Sequence, residues 1–150
     1  MKACEGHIGR VFVLKLEDGD MVPACIERFA EEKGISVGHV VLVGGIKGGK
    51  MVSGPEDDDA VPATPVLIPI DSLHEVVGIG VLAPKANGKP VLHVHAALGR
   101  GGKGMAGCLR KKYELKTWRV IEAVLYEITG VDAARIWDEK SGLTLLELGD

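Results

Sequence analysis

Residues 86–97, Ala86-Asn-Gly-Lys-Pro-Val-Leu-His-Val-His-Ala-Ala97 (ANGKPVLHVHAA), decide how the chain folds. Asn-Gly between two apolar runs is the strongest short-range hairpin signal. The run after it, Val91 to Leu98, is apolar apart from two histidines and reads as a β-strand. The run before it, Leu73 to Leu82, reads as its long partner. A turn centred on Asn87-Gly88 would set Leu82 opposite His93 and Gly80 opposite His95. Side chains alternate faces along a strand. His93 and His95 therefore share one face, with Val94 on the other, and their Cα atoms lie roughly 7 Å apart. Two imidazoles so placed can share one metal ion, or they can simply face water.

Reading outward, Arg10–Leu16 is a strand and Met21–Lys33 a helix that Gly34 stops. Gly38–Ile46 is a buried strand that runs into a glycine-rich bend. A turn and a short strand take up Lys47–Pro55, and Glu56–Asp59 is an acidic loop. Val66–Ile70 is a short strand that Pro69 marks as an edge. Trp118–Ile128 reads as a strand, with a helix as competitor because Val120, Val124 and Leu125 also fit a helical stripe. Ala134–Trp137 and Leu143–Leu148 form a closing hairpin around Lys140-Ser141-Gly142. The sum is one α+β domain over residues 1–150, mostly antiparallel sheet with one main helix packed on it.

The chain carries a formal net charge of −3, and that balance argues against a protein built mainly to grip phosphates. No apolar run approaches the length of about 18 residues that a membrane span needs, and no secretory signal is expected. Cys4, Cys25 and Cys108 are odd in number and irregularly spaced, which fits a reduced cytoplasmic protein. Glutamine is absent and Asn87 is the one asparagine, a depletion seen in thermophile proteins and also produced by nucleotide bias.

Two glycine-rich stretches invite functional readings. Gly44-Gly-Ile-Lys-Gly-Gly49-Lys50 matches the spacing of a phosphate-binding P-loop. Met51 stands where Ser or Thr would hold magnesium, and Val-Ser-Gly-Pro cannot start the required helix. Glycines serving a sheet bend explain it better. Gly99-Arg-Gly-Gly-Lys-Gly104 is read either as a flexible loop or as an anion-binding loop. Arg100, Lys103, Arg110, Lys111 and Lys112 make up the one basic cluster and are the candidate contacts for an anion or DNA.

His74, His93, His95 and Cys108 are the candidate metal ligands, since imidazole with thiolate is a normal zinc shell. Within a flat hairpin His74 lies roughly 20 Å from the pair, so it joins only through a bend or from another subunit. Cys108 can fold back over the pair after the glycine-rich reversal. Glu75 is a candidate to orient a histidine, or to act as base in a metal-dependent enzyme.

The ordered set Gly9-Arg10, Leu14–Asp20, the helix with Ile26 and Phe29, Val41-Leu-Val-Gly-Gly45, His74–Gly80, Gly88–Ala96, Gly107-Cys-Leu109 and Gly142–Leu146 resembles the plant and prokaryote conserved (PPC) domain family. The resemblance implies a compact α+β domain assembled as a homotrimer. It implies a metal site from the H-x-H strand and a later Gly-Gly-His-Leu-like motif, which reads Ala106-Gly-Cys-Leu109 in this chain. A trimer would also bring His74 near a neighbour's His93 and His95. The family is described as DNA-binding, and its plant members add an AT-hook. Gly99-Arg-Gly101 lacks the proline of such a hook. Three functions stay open: a metal-containing DNA-associated or regulatory protein, a zinc-dependent enzyme, and an interaction module stapled by a structural metal.

Overall fold

A computed structural model describes residues 1–149. The elements in chain order are β1 (His7–Leu16), β2 (Met21–Val22), α1 (Ala24–Lys33), β3 (Gly38–Lys47), β4 (Lys50–Pro55) and β5 (Pro65–Pro69). They continue with β6 (His74–Pro84), β7 (Pro90–Arg100), β8 (Lys103–Leu109), β9 (Leu115–Thr129), β10 (Ala133–Asp138) and β11 (Leu143–Leu148). The main sheet runs in the order β1-β9-β3-β6-β7-β8-β4-β5, with β2 added to β9. Every strand pair in it is antiparallel. The hairpin β10–β11 forms a separate two-stranded sheet. The expected α+β class, antiparallel and with one helix, is the observed one. Trp118–Ile128 is strand, because β9 is held between β1 and β3 and its alternation suits two neighbours better than one helical stripe.

One face of the sheet is buried under α1. Val76 and Leu82 of β6 and Leu92, Val94 and Leu98 of β7 point into that core, as do Ile26 and Ala30 of the helix. The helix starts later than the periodicity suggests: Met21–Val22 pairs with β9, and Pro23 occupies the cap position. Proline ends a strand easily and suits a helix start. Gly34 closes the helix in the left-handed conformation at φ 66°, as expected of a C-terminal glycine.

The motif glycines follow from close approaches. Gly44 has φ 136°, and a Cβ there would meet the Val120 carbonyl oxygen at 2.0 Å. It sits where the β3–β9 register shifts, a bulge that only glycine fits. No helix follows Lys50, so the P-loop-like segment is strand, turn and strand. Gly9 lies at a second bulge, between Ile8 and Val11. There Arg10 binds Glu127 through Nε and Nη2, both at 2.7 Å, and donates to the Lys33 carbonyl at the helix end. The guanidinium holds the Glu127 carboxyl down at about 2 through side-chain and backbone hydrogen bonds.

Gly44→Ala should therefore lower the stability of the folded chain by about 3 kcal/mol. The check is the urea midpoint of the variant; an unchanged midpoint would mean that the β3 bulge relaxes freely.

Candidate metal centre

His93 and His95 stand on β7, exposed on the face away from α1, while Leu92, Val94 and Ala96 between and around them are buried. The register across to β6 differs by one residue from the expectation. Val81 faces His93 and Ile79 faces His95. The turn is longer than Asn87-Gly88 alone: Lys85 N–H donates to the Lys89 carbonyl, and Gly88, at φ 78°, donates back to the Lys85 carbonyl. This is the three-residue loop with a left-handed glycine, not the two-residue one.

On the other side, Arg100 pairs with Lys103 around Gly101-Gly102, which have φ 55° and 77°. The stretch Gly99–Gly104 is a tight two-residue reversal rather than a loose loop. The strand it launches, β8, has no strong sequence signal because four of the seven residues Lys103–Leu109 are Gly, Ala or Lys. Counting back from the turn brings Cys108 directly opposite His95. Opposed residues of antiparallel strands point to the same face. Cys108 is buried and the two histidines are exposed, and the three donor atoms lie within 4.8 Å of one another.

The spacing suits one ion. The two Nε2 atoms are 3.1 Å apart, with the rings nearly perpendicular at 85°. Two nitrogens on a tetrahedral zinc at ~2.0–2.1 Å stand roughly 3.3 Å apart. Two imidazoles and a thiolate are a normal zinc donor set. Three protein ligands would leave a fourth position open.

The other candidates fall elsewhere. His74 is buried on the opposite face of the sheet, and its Nδ1 is 2.9 Å from the Ser72 carbonyl. It is displaced from the pair both along the strand and through the sheet. Glu75 sits opposite Gly99, four residues from the His95 partner Ile79, or roughly 13 Å. The basic cluster divides in space. Arg100 and Lys103 stand at one end of β8, where Arg100 donates to the Leu73 carbonyl at 2.7 Å. Arg110, Lys111 and Lys112 stand at the other end, roughly 20 Å away. Lys111 is engaged with the buried Glu27 at 3.2 Å. Cys25 is remote from these donors, and burial with nearby Asp20 pushes its thiol up to about 11, so it is a poor nucleophile.

Two residues of this region escape sequence reasoning. Glu27 of α1 accepts the Leu92 N–H at 3.1 Å and so fixes β7 one residue from His93. Arg135 of β10 is 7% exposed, and its Nη2 donates to the Val81 carbonyl at 2.7 Å. The only signal for it is a charge in the apolar run Ala133–Trp137. The His93 ring has its pKa lowered from 6.5, first by desolvation, then by the charge of Arg135, by His95 and by Arg110. A lowered value keeps the imidazole neutral, the form that binds metal.

The Plants and Prokaryotes Conserved (PCC) domain family matches residues 3–129. The chain belongs to this family. The match ends before β10, so Arg135 lies beyond it. The metal-containing protein AF0104 from Archaeoglobus fulgidus is 26% identical, with a TM-score of 0.84, over 98% of this chain and 99% of its own. A plant- and prokaryote-conserved protein from Pyrococcus horikoshii is 24% identical, also at TM-score 0.84, over 100% of this chain and 99% of its own. A provisionally named DNA-binding protein from Bacteroides thetaiotaomicron shares the fold at 16% identity and TM-score 0.75, over 95% and 96% of the two chains. No curated protein matches. Among the described residues no helix is long and apolar enough to cross a membrane.

The shift of His93 sets a pH dependence. Protonated imidazole cannot ligate, and the folded value lies below 6.5. Bound metal should persist through the ordinary histidine midpoint and leave only at lower pH. The metal-free fold should lose stability as pH drops below 6.5, because the unfolded chain then binds the extra proton first. Metal content after dialysis at stepped pH checks the first expectation, and thermal melts of apo-protein with and without His93→Gln check the second.

Proposed function

We propose that the chain is a zinc-binding subunit of a homotrimer, with His93, His95 and Cys108 as protein ligands and one position left for an exchangeable group. The observation that carries this reading is the convergence of three ligand atoms within 4.8 Å on one open sheet face. The name of the Archaeoglobus fulgidus protein, metal-containing, agrees with it. His74 stays outside the proposed shell because it lies buried on the other face.

Assembly is supported by what surrounds the site. The face that carries the histidines also presents Val77, Ile79 and Val81 of β6, Val43 of β3, and Val11 and Val13 of β1. Ile79 is 58% exposed and Val13 is 81% exposed. A continuous apolar sheet face of this kind is the signature of a covered surface, and further copies of the chain are the proposed cover. The unpaired state of Cys4, Cys25 and Cys108 suits a reducing compartment such as the cytoplasm.

Two further roles rest on narrower ground. An open coordination position allows water activation or carbonyl polarisation, although Glu75 is too distant to be the base. Association with DNA is supported by the names of proteins that share the fold, while the divided basic cluster and the net charge of −3 weigh against it.

Protein purified without a histidine tag should contain about one zinc per chain, and His93→Ala/His95→Ala should contain none, while His74→Ala keeps it. Light scattering should give about three times 15.9 kDa, and Ile79→Glu should shift that mass to the monomer. A monomeric wild type without metal would overturn the reading. For DNA, a mobility shift that weakens steeply with salt is the expected result if the third role is real; no shift at low salt removes it.

A further inference from the structure

The His93–His95–Cys108 cluster stands beside two arginines, Arg135 and Arg110, that form no ion pair among the described residues. Arg135 is buried, with Nη2 on the Val81 carbonyl and Nε within 3.4 Å of the Val91 carbonyl. Val81 is the strand partner of His93, and Val91 precedes it by two, so the guanidinium lies against the sheet beside that ring. Arg110 approaches from the other side. It keeps an extended backbone, φ −111° and ψ 135°, directly after β8. The alternation therefore puts its side chain on the face of Cys108, in the row of His93.

Buried guanidiniums are normally paired with carboxylates. Among the described residues the buried Arg135 forms no ion pair, and neither does Arg110, which is exposed. Two nitrogens of Arg135 are held by carbonyls, and Nη1 has no protein partner. Among the described residues no buried side-chain polar atom is left unsatisfied, so Nη1 is not fully buried. One nitrogen of the fork thus remains available to a further acceptor while the other two fix its position.

The charge count then points to the missing partner. Two neutral imidazoles and one thiolate leave a divalent ion with one net positive charge, and two guanidiniums stand beside it. A neutral fourth ligand would leave all three repelling one another in a partly desolvated site. An oxyanion offsets them, since one oxygen can face the metal while another takes the unpartnered N–H of a planar guanidinium. We propose that the His93–His95–Cys108 centre binds a small oxyanion, a carboxylate or phosphate group, as its exchangeable ligand, with Arg135 and Arg110 as the positioning cations. This rests on the metal reading above and specifies what the open position takes.

The test uses the cobalt-substituted full-length protein, with metal content measured in every sample. Sodium acetate and inorganic phosphate are titrated separately at constant ionic strength set with perchlorate, and the visible absorption of the cobalt is followed. A saturable change is expected with at least one anion. Saturation by acetate alone assigns a carboxylate ligand, and saturation by phosphate alone assigns a phosphate group. Arg135→Gln should weaken the apparent affinity at least about tenfold with the metal retained. Arg110→Gln should weaken it too, and it provides the second variant if Arg135→Gln does not fold. A spectrum indifferent to both anions in protein that holds its metal overturns the oxyanion proposal and leaves the metal reading intact. Equal affinities in wild type and both variants overturn the role of the arginines. Failure of the wild type to bind cobalt or zinc overturns the metal reading itself.

Discussion

The geometry of the site depends on a two-residue turn. Gly101 and Gly102 both adopt positive φ, which lets β7 reverse into β8 with no spare residues. Because side chains alternate strictly, the register set there decides which face Cys108 occupies. A slip of one residue would send the thiol into the core and leave His93 and His95 with no third donor. The metal-capable cluster is therefore a consequence of turn chemistry seven residues away. The same logic applies on the other side of β7. There the left-handed Gly88 sets the partners of the histidines as Val81 and Ile79. It thereby places them amid an apolar face.

The strand that bears the histidines is held from behind as well. Glu27 is buried, yet it accepts the Leu92 N–H and the Lys111 ammonium. Beyond Leu109, β8 no longer supplies β7 with ladder partners, so the Leu92 N–H needs an acceptor. The helix provides one through a side chain. That arrangement ties α1, β7 and the turn after β8 into one unit. The histidines are thus presented on a stiff support, while their own face stays open.

Much of this was legible in the residues. The apolar runs Leu73–Leu82 and Val91–Leu98 on either side of Asn87-Gly88 gave the two central strands, and the period of two along a strand put His93 and His95 on one face. Gly34 marked the helix end, and Pro69 marked an edge strand. What stayed hidden was pairing. Lys103–Leu109 has weak strand propensity and becomes a strand because the Gly-Gly turn presses it against β7. Asn87-Gly88 suggested a two-residue loop, and only the conformation of Gly88 chose the three-residue one. The basic residues from Arg100 to Lys112 were close in sequence but not in space, since an extended strand separates its ends. Arg135 is separated from His93 by 42 positions in the chain, and no local pattern could join them.

The cysteine and the buried arginine are best understood together. A site with three neutral imidazoles leaves both charges of a divalent ion uncompensated, and a guanidinium beside it would then be strongly opposed. A thiolate removes one of those charges at the point nearest the ion. Arg135 has its pKa lowered first by burial, while the charges of Cys108 and Glu27 act in the opposite sense. The Cys108 side chain therefore offsets part of the cost of burying the arginine. Cysteine at position 108, where the family motif resembles histidine, is on this account no passive substitution. Under the proposed metal reading, it is the change in ligand charge that allows a cation to be buried beside the site.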